Sequence, residues 1–176
     1  MKIVFLDFDG VLNSETWARN GGVVNGLWTL DPEAVRRLQR IIDATGAYIV
    51  VSSSWRHGHT LDELRTILRD AGLTDPPTAR YDLRSWTVLD VTPDSLDGFR
   101  AREIRRWLDR NPAHQFVVLD DSHDADIDGH FVQTTWPHGL QDEHVDRAIE
   151  ILNRPVGYRA DVEWREPLFR QGQVKF

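Results

Sequence analysis

Residues 2–14 read KIVFLDFDGVLNS: an apolar run that ends by delivering two aspartates, Asp7 and Asp9, and then a glycine. A run of Ile, Val, Phe and Leu with no polar alternation is the pattern of a strand covered on both faces, as in a parallel sheet. Carboxylates at the end of such a strand are costly to desolvate, so their presence there calls for a chemical reason. Four more short runs rich in β-branched and aromatic residues have the same character: Ala47 to Val51, Trp86 to Val91, Gln115 to Leu119 and His130 to Thr134.

Helical patterns separate these runs. Asp31-Pro32 reads as an N-cap with a first-turn proline ahead of Val35, Leu38, Ile41 and Ile42, which recur on one face. Thr60 and Glu63 form a capping box before Leu61, Leu64, Ile67 and Leu68, and Gly72 is placed to stop that helix. Ile104, Trp107 and Leu108 mark a third helix closed before Asn111-Pro112, and Val145, Ala148, Ile149 and Leu152 a fourth. Alternating strands and helices predict an α/β domain with a five-stranded, mostly parallel sheet, because parallel neighbours need long crossovers. Residues 13–30 have no convincing period and read as a flap beside Asp7. Residues 73–85 read as a proline-bearing connection. The tail from Pro155 mixes aromatic and charged residues.

At 176 residues with 40% hydrophobic content, the chain is expected to build one domain around one core. Cysteine is absent, which excludes disulfides and thiolate metal sites. No leader pattern and no bilayer-length apolar run are evident, so the expectation is a cytoplasmic protein with no membrane partner. A formal charge of −7 argues against a broad electrostatic grip on duplex nucleic acid, while a local basic patch at a strand end is compatible with it. Only Lys2 and Lys175 among 21 basic residues are lysine, for which coding bias is the simpler account.

In open parallel sheets the ligand crevice lies outside the carboxyl ends of the strands. The first strand ends in Asp7-Phe8-Asp9-Gly10, the second in Ser52-Ser53-Ser54-Trp55-Arg56 and the fourth in Asp120-Asp121. An extended chain would put Asp7 and Asp9 on one side of the sheet, with Gly10 allowing a sharp turn after them. Up to four carboxylates then meet in one place, which calls for a cation or for bound protons. With oxygen donors only, Mg²⁺ is the natural ion.

DFDGVLN after an apolar strand, a serine ending VVSSS, a basic residue before the third helix and the VVLDD ending together resemble the haloacid dehalogenase (HAD) superfamily of phosphohydrolases. The resemblance covers about residues 2–152. More narrowly, SSSWR, the FRAREIRRWL run and VVLDDS are similar to the phosphatase domain of bacterial and phage RNA-repair proteins of the polynucleotide kinase-phosphatase type. The resemblance implies a Rossmann-like three-layer sandwich whose first strand is central, flanked by the second and fourth. It implies a HAD-like domain over 1–152 with a small flap at 13–30, no large cap domain, and a 153–176 extension packed on the same domain.

The resemblance also assigns roles. Asp7 is the nucleophile that forms an aspartyl phosphate, and Asp9 protonates the leaving oxygen and then takes the proton from water. Mg²⁺ falls to Asp7, Asp9 (through its carbonyl), Asp120 and Asp121, with Asp121 open between ligand and orienting residue. Ser52, with Ser53 as its neighbour, binds a phosphoryl oxygen. Arg100, with Arg102 as the alternate, balances charge on transfer where the family more often has lysine. Trp55 and Arg56 are expected to bind substrate, although Arg56 has pairing with an acidic residue as its other reading. Asp124, Asp126 and Asp128 read as a solvated acidic loop, with Asp124 within reach of the metal shell. His57 and His59 read as loop residues, and Trp17 and Trp28 as lid or core residues with base stacking as the other reading.

The expected activity is hydrolysis of a phosphorylated substrate, with the 3′ phosphate of an RNA or DNA end as the favoured one and a repair-complex partner left unnamed. A small-molecule phosphatase acting on nucleotides or sugar phosphates is the enzymatic alternative. A non-catalytic phosphate-binding module is the alternative from another class.

Overall fold

The apolar runs form the sheet and the periodic segments pack on its two faces. The computed structural model describes residues 1–75, 86–95, 98–111, 113 and 115–155. Strand β1 (Lys2–Leu6) is followed by a short helix α1 (Glu15–Trp17) and a small hairpin of β2 (Val23–Val24) and β3 (Leu27–Trp28). Then come α2 (Pro32–Thr45), β4 (Tyr48–Val51), α3 (Leu61–Asp70), β5 (Val88–Val91), α4 (Arg100–Arg110), β6 (Gln115–Asp120), β7 (Phe131–Gln133) and α5 (Asp142–Leu152). The main sheet has the order β5-β4-β1-β6-β7, and every neighbouring pair is parallel.

Side chains on β1 alternate between two cores because both sheet faces are covered. Val4 and Leu6 join Val35, Leu38 and Ile41 of α2, Leu64 and Leu68 of α3, and Val145 and Ile151 of α5. Ile3 and Phe5 join Val50, Val118, and Ile104 and Trp107 of α4. This is the three-layer α/β sandwich, with β1 central between β4 and β6 as its motif order requires. Helix starts follow their local chemistry. Asp31 caps α2 ahead of Pro32, Thr60 and Glu63 close a reciprocal capping box on α3, and Gly46 ends α2 with φ 64.

Boundaries differ from the sequence expectation by a residue or two in each strand, with β4 starting at Tyr48 and β6 running to Asp120. β1 stops at Leu6, although the Asp7 amide still donates to Leu119 O at 3.0 Å. β5 begins at Val88 rather than Trp86, and β7 spans Phe131–Gln133 rather than His130 to Thr134. The flap is ordered: α1 leads through a wider turn into the β2–β3 hairpin, whose turn is Asn25-Gly26 with φ of 53° and 78°. Two successive positive φ values are what an Asn-Gly pair supplies in a tight hairpin. The flap is tied down by Trp17, whose indole N–H donates to Thr29 O at 3.0 Å. The expected 73–85 connection lies outside the described residues beyond Asp75, and so does the expected C-terminal extension beyond Pro155. No helix among the described residues is long and apolar enough to cross a membrane.

α2 buries Ala34, Val35, Leu38, Ile41 and Ile42 in the first core. Leu38→Ala is expected to cost about 2–5 kcal/mol by leaving a cavity, whereas Thr60→Ala at the α3 cap should cost only about 1 kcal/mol. Urea unfolding of the two variants checks the ranking.

Candidate active site

The β1 ending is built to present carboxylates. Asp7 finishes the strand and Phe8 O then accepts amides from Val11, Leu12 and Asn13, so the chain coils tightly after it. Gly10 has φ 71, and a Cβ there would collide with the Asp121 carboxylate, so glycine is required both for conformation and for room. The Thr134 hydroxyl fixes this turn by donating to Gly10 O at 2.7 Å. The chain therefore does not stay extended past Asp7.

Asp7, Asp120 and Asp121 each offer a carboxylate oxygen, and all three lie within 4.8 Å of one another. Oxygens on opposite sides of an octahedral Mg²⁺ stand about 4.2 Å apart, so the cluster has the span and the donor type for such an ion. Asp120 Oδ1 accepts the Ser122 amide at 2.9 Å, while its buried Oδ2 has no hydrogen-bond partner among the described residues. That orphaned oxygen fits a position meant for a cation. The Asp9 carboxylate is engaged by other partners, although its charge is felt by Asp7 and Asp121. It accepts the Trp55 indole N–H at 3.1 Å and the Asn13 side-chain amide at 2.8 Å, so any metal contact from Asp9 falls to its carbonyl.

Burial is the largest influence on this cluster. It raises the Asp7 carboxyl to about 6, against the opposing pull of Arg100 and a hydrogen bond from Ser53. Burial and then the neighbouring Asp7 charge raise Asp120 to about 8. Burial also raises Asp121. Arg100 is the cation facing the group: Nη1 lies 3.9 Å from Asp7 Oδ1 and Nε 3.9 Å from Asp120 Oδ2. These distances are too long for hydrogen bonds. Arg102 lies with its guanidinium over the Phe99 ring, 5.3 Å from the centroid. Arg100 is therefore the arginine that the fold brings to the carboxylates.

Ser52 continues the ladder by donating its amide to Leu6 O at 2.8 Å, and its buried hydroxyl has no hydrogen-bond partner among the described residues. The hydroxyl that reaches Asp7 is that of Ser53. Arg56 needs correction. Its side chain and that of Glu103 are each 5% exposed, paired at 2.7 Å, and Arg56 also donates to Ser53 O at 2.8 Å and pairs with Asp94 at 3.2 Å. A guanidinium so enclosed holds the serine turn against α4 and is not presented to a substrate. Trp55 is likewise committed through its indole N–H to Asp9, although its ring remains at the surface of a cleft.

Sequence reasoning gave no role to Asn13 or Glu103 and placed Asp124 in a solvated loop within reach of the metal shell. Asn13 is fully buried and holds Asp9, and its place inside the DFDGVLN run was the available signal. Glu103 also accepts the Ser95 amide, and no local pattern announces a partner 47 positions away. Asp124 accepts the Arg100 amide at 3.4 Å and so caps α4 from a distant loop, while Asp126 and Asp128 are exposed. His57 pairs with Asp94 at 3.5 Å and His59 stacks on Trp55, so the two histidines are held apart from the carboxylates by other partners.

Central parallel sheet, carboxylates at the ends of β1 and β6, and a cation at the start of α4 define a HAD-type domain. The chain belongs to the family described as the HAD domain in Swiss Army Knife RNA repair proteins, whose family model matches residues 3–145. HAD domains are generally hydrolases of the phosphatase type and typically use a divalent metal. A search of curated proteins returns no match.

Raised carboxyl groups have a consequence for the metal-free protein. A group that holds its proton more tightly when folded contributes stability that is complete below its unfolded value, near 4, and lost as pH rises through about 6 and then about 8. Melting in EDTA should therefore show Asp120→Asn gaining on the wild type as pH rises across that interval, and saturating Mg²⁺ should close the gap. A difference that stays flat with pH would show that the cluster is not charged against itself.

Proposed function

We propose that this protein is a Mg²⁺-dependent phosphomonoesterase that works through an aspartyl phosphate on Asp7, with the 3′ phosphate of a nucleic-acid end as its substrate. The observation that carries the reading is that three buried polar atoms have no hydrogen-bond partner among the described residues where β4 ends, β6 ends and α4 begins: Ser52 Oγ, Asp120 Oδ2 and Arg100 Nη1, the last two facing each other and Asp7. A hydroxyl, an anion and a cation of this kind are costly unpaired and suit a phosphoryl group with a metal ion.

In this reading an Asp7 carboxylate oxygen attacks phosphorus while the bond to the leaving oxygen breaks, and Asp9 gives that oxygen a proton. Asp9 then takes a proton from water, the water oxygen attacks the phosphorus of the acyl phosphate, and Asp7 and inorganic phosphate are released. The contacts of Asp9 support its role, since Trp55 and Asn13 hold its carboxylate in a fixed orientation at the edge of the cleft. Ser52 and Arg100 bind the phosphoryl oxygens, and Ser53 keeps the nucleophile aimed. The Mg²⁺ held by Asp7, Asp120, Asp121 and the Asp9 carbonyl would shield the phosphate dianion from the anionic nucleophile. The description of the family supports a nucleic-acid end as the source of the phosphate.

Asp7→Asn should lower turnover at least about 10³-fold while the protein stays folded. Asp120→Asn should raise the Mg²⁺ concentration for half-maximal activity far more than Asp126→Asn. Phosphate release is then compared across 3′- and 5′-phosphorylated RNA and DNA oligomers, mononucleotides and sugar phosphates. Preference for a 3′ end supports the proposal, and preference for sugar phosphates or free mononucleotides replaces it with a small-molecule phosphatase.

A further inference from the structure

A cleft of about 960 Å³ opens between the flap hairpin and the turn that leads into α3. It is at the upper end of the ~300–1,000 Å³ range of small-molecule sites. Asp9 stands in its wall, and Trp28, Trp55 and His59 supply aromatic surface. Among the described residues lining it there is no lysine or arginine, and the two charged ones, Asp9 and Asp70, are both acidic. The phosphate-facing elements lie elsewhere, with Arg100 over Asp7 and Asp120. The site thus divides into a half that holds negative charge and a half that repels it, and Asp9 lies at the boundary.

From this division we infer that the cleft binds the nucleoside next to the scissile phosphate, with its base against Trp28, and admits no second phosphate. The inference deepens the proposed function and rests on Asp9 protonating the leaving oxygen, because that role places the leaving group on the Asp9 side. Aromatic walls without cations suit an uncharged π-system, since stacking is indifferent to base identity and needs no counter-charge. A further phosphate in the cleft would face two carboxylates with no lysine or arginine among the described lining residues to offset them. Trp28 is 38% exposed and leans on Trp136, with ring centroids 5.2 Å apart, so the wall is braced yet open to a ligand. Trp55 contributes its ring while its N–H stays on Asp9. An oligomer consequently threads its remaining phosphates away from the cleft, and selectivity falls on the terminal base.

The test measures binding, so that it stands apart from turnover. Calorimetric titration compares a 3′-hydroxyl adenine RNA tetramer with the same oligomer carrying an abasic 3′-terminal residue, for the wild type, Trp28→Ala and Trp28→Tyr. The base-bearing end should bind wild type about ten-fold more tightly. Trp28→Ala should bring the ratio close to one, and Trp28→Tyr should keep most of it. Equal binding of the two oligomers to wild type, no measurable binding of either, or a ratio unchanged in Trp28→Ala overturns the inference. Adenosine binding with the oligomer's affinity supports the cleft and identifies a free nucleoside end as sufficient. Hydrolysis of the corresponding 3′-phosphorylated tetramer is followed in parallel. Retained base discrimination without hydrolysis rejects the phosphatase reading and leaves the cleft assignment standing.

Discussion

Three carboxylates pressed together at the ends of two adjacent parallel strands are the constraint to which the rest of this structure answers. β1 and β6 are neighbours in register, so the residues that end them, Asp7 and Asp120, cannot be kept apart. Desolvation and mutual repulsion raise their affinity for protons, and one guanidinium at 3.9 Å does not offset this. A fold optimised only for stability would not retain such a group. The remaining architecture holds the cluster in one arrangement: the tight turn around Phe8 O, the glycine that admits Asp121, and Thr134 bracing the turn from the end of β7.

A second buried charge pair serves the first. Arg56 and Glu103 face each other across the gap between the serine turn and α4, three residues along the helix from Arg100. The two charges of the pair cancel in sum, and its extra hydrogen bonds reach the Ser53 carbonyl and the Ser95 amide. The element that brings the hydroxyls and the element that brings the cation are thereby fixed to each other. Hydrogen-bonded geometry of this sort holds reacting groups in place without strengthening any contact to a ligand directly.

The fold was legible because both of its signals are local. Unbroken apolar runs mark strands covered on both sides, and the caps at Asp31 and Thr60 act within four residues of themselves. Strand-end positions then follow from topology, which brings Asp7, Asp120 and Asp121 together, while Arg100 at a helix start was legible only through the family resemblance. Two details lay beyond the sequence for reasons of range. Which of its two readings Arg56 takes depends on Glu103, a partner distant in sequence. Whether the chain stays extended past Asp7 depends on the amides of Val11, Leu12 and Asn13, which coil it onto Phe8 O. The flap carried an Asn-Gly hairpin signal, but its strands are two residues each, too short to show alternation.

Trp55 joins two tasks that many sites assign to separate residues. One edge of its indole grips both oxygens of Asp9, and its ring is part of the cleft wall, packed edge-on to Phe8 and stacked on His59. A group that displaces the ring must also displace the carboxylate, and a group that seats the ring well also seats the carboxylate. Under the proposed function, recognition of what departs and readiness of the proton it receives are therefore mechanically one variable. In that reading, contacts far from phosphorus act on the barrier itself instead of only on residence time.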